Sequence, residues 1–375
     1  MVASRYHNRP SFQSLSSMKN RSLYVHIPFC KRRCAYCHFT SHLDLSLEDT
    51  YLDALERDIL EEPLLKESRI TTLYVGGGTP SALSDKGRKR LLHLLKPFSK
   101  DAIEWTMEVN PESVTKDLLK DYVKAGVNRI SMGVQSMKDE DLKILGRIHD
   151  SIRVEEAVSL IREAGIHNLS LDLIYNYSSD EDVLESIKRM MELGPEHISI
   201  YELELDEDLP RLKTLSSDDS YRQFHLLEEE LEKNGYKRYE VSNFSKEGFE
   251  SKHNSSYWTG EDYFGFGLSA SSFLEGVRCT RTKDMSTYLK APRTYDESEE
   301  LSNKDKAFEF FMLGLRRTQG VNLCDFKDQF PEERWMLDVI EKHVKRGNLN
   351  QDGERVYPTK QGLDLLHQLL LDLLD

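Results

Sequence analysis

The sequence predicts an α/β fold, a partial (β/α)6 barrel followed by a smaller α+β domain that resembles a winged helix. Short apolar or β-branched runs alternate with helical patterns six times between residues 22 and 201. Successive strand–helix units form parallel strands with right-handed crossovers, and six units are too few to close an eight-stranded barrel. With 375 residues, the chain is long enough for a barrel and a second domain.

Each of the six units is predicted from its own residues. The predicted strands cover residues 22–26, 71–75, 103–109, 129–133, 169–175 and 197–201. The predicted helices cover residues 47–62, 85–95, 115–125, 138–145, 153–164 and 182–193. Gly126 and Gly165 follow the third and fifth of these helices, as expected for the left-handed residue that often ends a helix.

Composition and charge disfavour several classes of function. The formal net charge of −14 disfavours binding to nucleic acids or anionic membranes, which attract basic surfaces. No apolar run approaches the ~18 residues of a membrane span. Five cysteines, three of them on one loop, do not form a disulfide framework, and thiols free to bind metal indicate the reducing cytoplasm. Residues 1–21 contain no acidic residue and are predicted to be a disordered or extended segment, with Met18 as an alternative start and a transit peptide as a further alternative.

The first predicted strand leads into a loop with three cysteines, Cys30, Cys34 and Cys37, at C-x3-C-x2-C spacing. Three thiolates on one loop can hold three irons of a [4Fe–4S] cluster, which leaves the fourth iron open to a ligand. A structural zinc site is an alternative, with His38 or His42 as the fourth ligand, but no second C-x2-C pair is present. The sequence from Cys34 to His38 also fits covalent haem attachment, although that interpretation leaves Cys30 without a role.

Polar residues and glycines lie at or just past several predicted strand ends. Active sites of such folds lie at the carboxyl ends of the strands, so these residues are expected to lie close together at that end of the barrel. The glycine run 76–78 would let the backbone approach a ligand and expose N–H groups. A tight turn, solvated acids and a surface arginine are the alternatives for individual residues. The candidates are Gly77, Gly78, Thr79, Glu108, Gln135, Arg147 and Asp172.

The ordered motifs resemble those of the radical SAM superfamily, in the anaerobic coproporphyrinogen-III oxidase-like family. They are Tyr-Val-His-Ile-Pro-Phe-Cys-x3-Cys-x-Tyr-Cys, Gly-Gly-Gly-Thr-Pro, Glu-Val-Asn-Pro, Ser-Met-Gly-Val-Gln-Ser, Leu-Gly-Arg-x-His and Asp-Leu-Ile-Tyr, and the resemblance runs from about Ser22 to the C-terminus. It implies a [4Fe–4S] cluster on Cys30, Cys34 and Cys37, whose open iron binds S-adenosylmethionine (SAM) and whose electron cleaves SAM to a 5′-deoxyadenosyl radical. By motif position, the implied SAM contacts are Tyr24, Tyr36, Gly77, Gly78, Thr79, Glu108, Gln135, Arg147 and Asp172.

Two kinds of protein in this family must be separated. One is the oxygen-independent coproporphyrinogen III dehydrogenase, which decarboxylates two propionates, and the other is a haem chaperone that binds haem and passes it on. The dehydrogenase has a further cysteine two residues after the third and a longer N-terminal arm. Here Phe39 stands at that position and 29 residues precede Cys30, which favours the chaperone.

A second motif supports the same choice. The segment His253-Asn254-x-x-Tyr257-Trp258 resembles a motif associated with haem in the chaperone group. His253 is expected to be an axial iron ligand, with Tyr257 and Trp258 stacked on the porphyrin; a packed aromatic turn with a hydrogen-bonded histidine is the alternative. The sequence departs from the family at 175–178, where Tyr-Asn-Tyr-Ser replaces the usual Gly-Leu-Pro pattern after the tyrosine.

The predicted domains are a barrel at 22–245, a connecting segment at 246–300 and a winged-helix-like domain at 301–375. Two helices at 305–317 and 332–345, a hairpin turning at Asp352-Gly353, and a helix capped by Thr359 and reaching 373 support the last of these. The glycine-rich segment 265–271 is predicted to be a loop. Haem and haem-acceptor proteins are the expected partners, and a membrane-associated acceptor is compatible with the sequence; the oligomeric state is left open.

Overall fold

The computed structural model describes residues 18–34, 36–205 and 212–374. Most of the predicted N-terminal segment, residues 1–17, lies outside the described residues. Lys19, Asn20 and Arg21 belong to the first strand, which begins three residues before the predicted start. No helix in the described part of the chain is long and apolar enough to cross a membrane.

Six parallel strands alternate with helices, as predicted, and form an open sheet rather than a closed barrel. The strands are β1 (Lys19–Ile27), β2 (Ser68–Gly77), β3 (Glu104–Val109), β4 (Arg129–Gln135), β5 (Asn168–Tyr175) and β6 (His197–Glu202). The helices between them are α1 (Glu48–Leu60), α2 (Asp85–Leu95), α3 (Lys116–Ala125), α4 (Asp139–Ile144), α5 (Ser151–Glu163) and α6 (Asp180–Glu192), of which α4 and α5 both lie between β4 and β5. Sequential strands are neighbours, so the six carboxyl ends lie on one edge of the sheet.

The sheet continues beyond both edge strands of the six. On one side, α7 (Ser217–Lys233) leads to β7 (Lys237–Arg238) and β8 (Asn243–Ser245), and β8 pairs antiparallel with β6. On the other side, α8 (Lys252–Trp258) leads to β9 (Tyr263–Phe266), which pairs parallel with β1. Then follow β10 (Ser271–Leu274), β11 (Val277–Arg281), α9 (Met285–Lys290) and β12 (Tyr295–Glu300).

The loop prediction for 265–271 is wrong at both ends, because Gly265 and Phe266 lie in β9 and Ser271 begins β10. A Cβ atom on Gly265 would lie 1.9 Å from the Ser271 carbonyl oxygen. The glycine is therefore required by the close approach of two backbone segments, which is a common reason for glycine inside a strand.

Side chains alternate along the six strands between an apolar outer face and a polar inner face, as the two-residue period of a strand requires. The outer residues, such as Val25, Leu73 and Met132, are buried under the helices. The polar residues of the inner face are Ser22, Tyr24, His26, Thr72, Tyr74, Glu104, Thr106, Glu108, Arg129, Ser131, Ser170, Asp172, His197 and Ser199. The interior of the partial barrel is thus a hydrogen-bonded polar layer rather than a second apolar core.

Helix α8 enters this interior with its N-terminus on the Glu104 carboxylate. The backbone N–H groups of Lys252 and His253 donate to that carboxylate at 2.9 and 3.0 Å. A carboxylate at a helix N-terminus satisfies free N–H groups and interacts favourably with the helix dipole. Ser256, on the same helix, hydrogen-bonds to Ser22 of β1 at 2.7 Å. These bonds place the His253-to-Trp258 motif on a short helix inside the partial barrel, not on the aromatic turn considered above.

A buried ion pair joins α1 to the extension of the sheet. The guanidinium of Arg281 donates to Asp58 with Nε–Oδ1 and Nη2–Oδ1 distances of 3.0 and 2.9 Å, and the two side chains are 2% and 0% exposed. Asp58 also accepts from the Tyr288 hydroxyl and the Gly267 N–H, each at 3.1 Å. The carboxylate therefore has a full set of donors, as a buried charge requires.

The C-terminal domain has its own apolar core. Its elements are α10 (Asn303–Gly314), β13 (Val321–Asn322), α11 (Leu323–Gln329), α12 (Trp335–Lys345), β14 (Leu349–Asp352), β15 (Arg355–Pro358), α13 (Lys360–Asp364) and α14 (Leu366–Asp372). The strands form a three-stranded sheet, and the predicted hairpin is present with Gly353 at φ 58°. The predicted last helix is two helices, because Leu365 leaves the helical conformation and the bend lets Leu369 pack into this core.

Candidate functional site

The three cysteines of the loop after β1 border one cavity of about 350 Å³. The loop is closed by two backbone bonds, from Cys30 N to the His42 oxygen at 3.0 Å and from His42 N to the Pro28 oxygen at 2.6 Å. Arg147 Nη1 donates to Cys34 Sγ at 3.5 Å. We call this space the cysteine cavity; it lies at the carboxyl ends of the strands, where the sequence places it.

The three thiols all border the cysteine cavity, where each could hold one iron of a multi-iron cluster. Among the described residues, no three His, Cys, Asp or Glu side chains converge on a single metal position. An iron–sulfur cluster does not require such convergence, because each iron takes one thiolate. Burial raises the pKa of the Cys30 and Cys37 thiols, and bound iron would act in the opposite direction by stabilising the thiolates.

The glycine run packs against the cysteine loop. A Cβ atom on Gly78 would lie 2.8 Å from the Phe29 carbonyl oxygen and 3.0 Å from Cys30 Sγ. Gly77 has φ 109°, and a Cβ there would lie 2.5 Å from the His26 ring. The N–H groups of Gly77, Gly78 and Thr79 donate within the protein, to Glu108, Ile27 and Phe29 respectively. The expectation of exposed N–H groups is therefore wrong, and the run serves close packing instead.

Two carboxyl groups with raised pKa values line the cysteine cavity. Glu108 accepts from the Tyr74 hydroxyl at 2.7 Å and from Gly77 N at 3.0 Å, yet burial raises its pKa to about 7. Burial likewise raises the pKa of Asp172 to about 6, although Ser131 and Ser170 donate to it at 3.4 Å. The buried guanidinium of Arg129 favours the ionised form of both. Both carboxyl groups therefore titrate near neutral pH, where a ligand can select their charge.

Two polar atoms in the wall of the cysteine cavity lack a hydrogen-bond partner among the residues that the structure describes. Gln135 Oε1 and the Tyr36 hydroxyl are both shielded from solvent, and neither makes a hydrogen bond of good geometry with a described residue, although the Tyr36 hydroxyl lies next to Cys34 and Arg147. Gln135 also has φ 74°, a conformation that a non-glycine residue adopts at some strain. Buried polar groups are rarely left unpaired, so these two atoms fit a bound ligand with a complementary donor and acceptor. Both are among the residues that motif position assigns to SAM.

Arg147 is hydrogen-bonded within the protein, whereas the sequence alone predicts a SAM contact or a surface arginine. Its Nη2 donates to Asn110 Oδ1 at 2.7 Å and to the Gly133 carbonyl oxygen at 2.9 Å. The guanidinium therefore lies at the cavity wall in a fixed orientation next to Cys34. Sequence analysis did not select Asn110, although it follows Glu108 by two residues and thus lies on the same side of the sheet.

Tyr24 is the one predicted SAM contact that does not border the cysteine cavity. Its hydroxyl donates to His26 Nδ1 at 3.0 Å, and His26 Nε2 donates to the Thr40 carbonyl oxygen at 2.9 Å. Burial lowers the pKa of His26 to about 4, so the ring is neutral. Tyr24 and His26 thus support the cysteine loop from the strand beneath it.

A second cavity, of about 460 Å³, adjoins the first. It is mostly apolar, and we call it the aromatic cavity. Four residues border both cavities and form a shared wall: Phe39, Tyr74, Gly77 and Glu108. The aromatic residues that line it are Tyr24, Phe39, Tyr74, Tyr257, Trp258, Tyr263 and Phe273.

His253 is 1% exposed, and both of its ring nitrogens are occupied. Nδ1 lies 2.8 Å from Thr72 Oγ1, which donates onward to Ser22, and Nε2 lies 2.7 Å from the Tyr257 hydroxyl. Because the hydroxyl of Thr72 is used as a donor, Nδ1 carries the proton and Nε2 accepts from Tyr257. Burial lowers the pKa of His253 to about 3, which keeps it neutral. The expectation of an axial ligand disagrees with this geometry, in which His253 positions the Tyr257 ring.

We expect Glu108→Gln to stabilise the apoprotein at pH 8 and to have little effect near pH 4.5. Folding raises the pKa of Glu108 to about 7 from an unfolded value of ~4.3. Ionisation of the carboxyl group therefore destabilises the folded protein fully above the folded pKa, and not at all below the unfolded pKa. The full difference corresponds to roughly 4 kcal/mol, which solvent in the cavity reduces to about 1–2 kcal/mol. Urea unfolding at both pH values measures the change.

Glu112→Gln is the matched control, because its pKa is shifted in the opposite direction and its substitution should change stability with the opposite sign. Glu112 is partly buried, with a side chain 17% exposed, but the hydrogen bond with His149 leaves its pKa lowered, so ionisation of Glu112 stabilises the fold. This variant should lose stability at pH 8. Equal effects of the two substitutions would contradict the assignment of a raised pKa to Glu108.

Comparison with known proteins gives three consistent findings. Residues 24–193 match the family model of the radical SAM superfamily, and residues 301–365 match that of the HemN C-terminal domain. The chain is 34% identical to the heme chaperone HemW of Lactococcus lactis, over 92% of this chain and 95% of that protein. It is 36% identical to the heme chaperone HemW of Escherichia coli, over 81% of this chain and 85% of that protein. The structure of coproporphyrinogen III oxidase (HemN) from Escherichia coli has a TM-score of 0.83 at 23% identity, covering 96% of this chain and 91% of that one.

The fold, the cysteine loop and the match over residues 24–193 define a radical SAM protein. Within that superfamily, the chain belongs to the anaerobic coproporphyrinogen-III oxidase-like family, in its HemW-type branch. The resemblance drawn from the motifs is thereby confirmed. The likeness to HemN, at 23% identity, establishes the shared fold.

Proposed function

We propose that this protein is a haem chaperone of the radical SAM type, which binds a [4Fe–4S] cluster, SAM and haem and transfers haem to acceptor proteins. The observation that carries the proposal is the aromatic cavity, which adjoins the cysteine cavity through the shared wall of Phe39, Tyr74, Gly77 and Glu108. A mostly apolar space lined by seven aromatic residues suits a flat macrocycle. The names of the HemW relatives support the same choice.

In this proposal the cysteine cavity holds the cluster and SAM. Cys30, Cys34 and Cys37 would bind three irons, and the cluster, when bound, supplies the electron that can cleave SAM. Gln135 Oε1 and the Tyr36 hydroxyl would complete their hydrogen bonding on the cofactor. The remaining SAM positions in this proposal are Gly77, Gly78, Thr79, Glu108, Arg147 and Asp172, with Tyr24 acting from beneath the loop.

Haem would lie in the aromatic cavity against Tyr257 and Trp258. His253 contributes by fixing Tyr257 through the 2.7 Å hydrogen bond, and Tyr74 stacks on His253 at a centroid distance of 5.0 Å. His253 is therefore not assigned as an iron ligand in this proposal. We place the protein in the cytoplasm, where the thiols that the cluster needs stay reduced.

Coproporphyrinogen III dehydrogenation is the second candidate function. The observation that favours it is the completeness of the cysteine cavity, where eight of the nine predicted SAM positions line one space together with all three cysteines. Phe39 argues against it, because this side chain, 63% exposed, occupies the position of the dehydrogenase's additional cysteine. Both functions would use a cluster and SAM in the cysteine cavity, so an assay is needed to decide between them.

The test uses protein reconstituted with iron and sulfide under anaerobic conditions. Titration with haem, followed by absorbance, should show binding that Trp258→Ala weakens about tenfold, because one ring of the cavity is lost. Trp335→Ala, which removes a ring of the C-terminal domain outside the aromatic cavity, should leave the affinity unchanged. Transfer is measured by adding an apo-haem protein and following its haem spectrum.

The same preparation, with SAM, reductant and coproporphyrinogen III, decides between the candidates. Unchanged coproporphyrinogen from protein with an intact cluster is the expected result. Loss of two carboxyl groups per molecule would establish the dehydrogenase instead. Failure of the parent to bind haem would overturn the chaperone proposal.

A further inference from the structure

Arg278, on β11, is the only basic group among the described residues that line the aromatic cavity, since His253 is neutral. Its guanidinium lies over the Phe273 ring, 5.3 Å from the centroid. An arginine stacked on an aromatic ring keeps a fixed plane, which suits it to bind carboxylates through two parallel hydrogen bonds. The cavity thus combines ring surfaces with one oriented cationic group.

The guanidinium of Arg278 is already paired with a carboxylate of the protein. Glu309, on α10 of the C-terminal domain, accepts from Arg278 Nη1 and Nη2 at 2.7 and 2.9 Å. Glu309 itself borders the aromatic cavity, so the ion pair forms part of the cavity wall. The Arg278 side chain is 35% exposed, which leaves it accessible to a second carboxylate. The bidentate geometry shows that a carboxylate fits the position.

We propose that Arg278 anchors a carboxylate side chain of the ligand in the aromatic cavity, and that Glu309 holds this position until the ligand carboxylate replaces it. The inference rests on the proposed function, because haem is a flat aromatic macrocycle with two propionates. The rings of the cavity match the macrocycle, and Arg278 is the group that matches a propionate. Exchange of one carboxylate for another keeps the charge of the pair unchanged and leaves Glu309 to be solvated.

The exchange also links the ligand to the C-terminal domain. Arg278 belongs to the extended sheet, whereas Glu309 lies on the first helix of the C-terminal domain. When a ligand carboxylate takes the place of Glu309, this connection is lost. Binding of the ligand carboxylate would therefore weaken the attachment of α10 to the sheet.

The experiment compares haem with haem dimethyl ester, in which both propionates are neutralised while the macrocycle is kept. Both are titrated into the reconstituted full-length protein. The parent should bind haem at least about tenfold more tightly than the ester, and Arg278→Gln should bind haem about as weakly as the parent binds the ester, in keeping with one charge-assisted pair. Glu309→Gln should bind haem several-fold more tightly than the parent, with no change for the ester.

Controls separate this inference from the proposed function. Arg293→Gln breaks a comparable arginine–glutamate pair with Glu62, at 2.9 Å, outside the aromatic cavity, and should change neither affinity. The ester comparison needs no variant, so it is valid even if Arg278→Gln fails to fold. Equal affinity of the parent for haem and ester, or unchanged haem affinity in folded Arg278→Gln, would overturn the anchor while the chaperone proposal stands. Absence of binding by either ligand would instead overturn the proposed function.

Discussion

Cys34→Ala is expected to abolish the iron–sulfur cluster. The three cysteines border one cavity, and Cys34 is the one whose sulfur accepts from Arg147. A cluster held by three thiolates cannot be held by two with the same open iron, so iron and sulfide should fall from about four each per chain to background. Chemical analysis of iron, sulfide and zinc after anaerobic reconstitution, together with the visible absorbance, measures the loss. SAM cleavage should be lost with it.

Cys324→Ala is the matched control for that experiment. Cys324 is exposed and lies in the C-terminal domain, away from the cysteine cavity. This variant should keep a full complement of iron and sulfide. Retention of the cluster in Cys34→Ala, or a parent that binds one zinc and no sulfide, would contradict the cluster assignment and favour the zinc alternative.

Arg281→Met should lower the free energy of unfolding by about 3–5 kcal/mol. The substitution leaves Asp58 buried without its counter-ion, and removal of one partner from a buried pair is strongly destabilising. The pair joins α1 to β11, so the loss should also loosen the strands added beyond β1. Denaturant unfolding of the apoprotein, with the midpoint and slope compared, measures the change.

Arg69→Met provides the comparison. Arg69 pairs with Asp101 at 3.8 Å, and both side chains are about half exposed, so its loss should change stability by less than about 0.5 kcal/mol. A double variant, Asp58→Asn with Arg281→Met, should recover part of the loss because no buried charge is left unpaired. Equal effects of Arg281→Met and Arg69→Met would show that burial of the pair does not matter to stability.

The parallel core of the fold could be predicted from sequence because its units are local. Each strand and its helix show their own period, and the observed α2 has the bounds predicted for it. The edge strands β9–β12 could not be predicted in the same way. They are short, and Gly265 was interpreted as part of a loop although it is needed where the backbone of β9 approaches Ser271.

The residues of the candidate site that belong to sequence motifs could be predicted. The residues whose role depends on contacts between distant parts of the chain could not. Eight of the nine predicted SAM positions and the three cysteines border one cavity, since they lie at or beyond the carboxyl ends of neighbouring parallel strands. Arg129 and Ser131 were missed, although alternate polar residues along β4 indicate a polar inner face. The pairing of Arg278 with Glu309 joins two domains, and no local pattern predicts it. The burial of both His253 nitrogens depends on Thr72, which lies 181 residues earlier.

Under the proposed function, the shared wall between the two cavities would make their ligands mutual effectors. Tyr74 and Glu108 touch both spaces and are hydrogen-bonded to each other, so a ligand that changes the charge of Glu108 on one side changes the wall seen from the other. Coupling free energies are reciprocal: whatever factor SAM imposes on the haem affinity, haem must impose on the SAM affinity. In the proposed chaperone, a nucleoside cofactor would therefore set the affinity for a cargo without being consumed, which would give the cysteine cavity a purpose beyond radical chemistry.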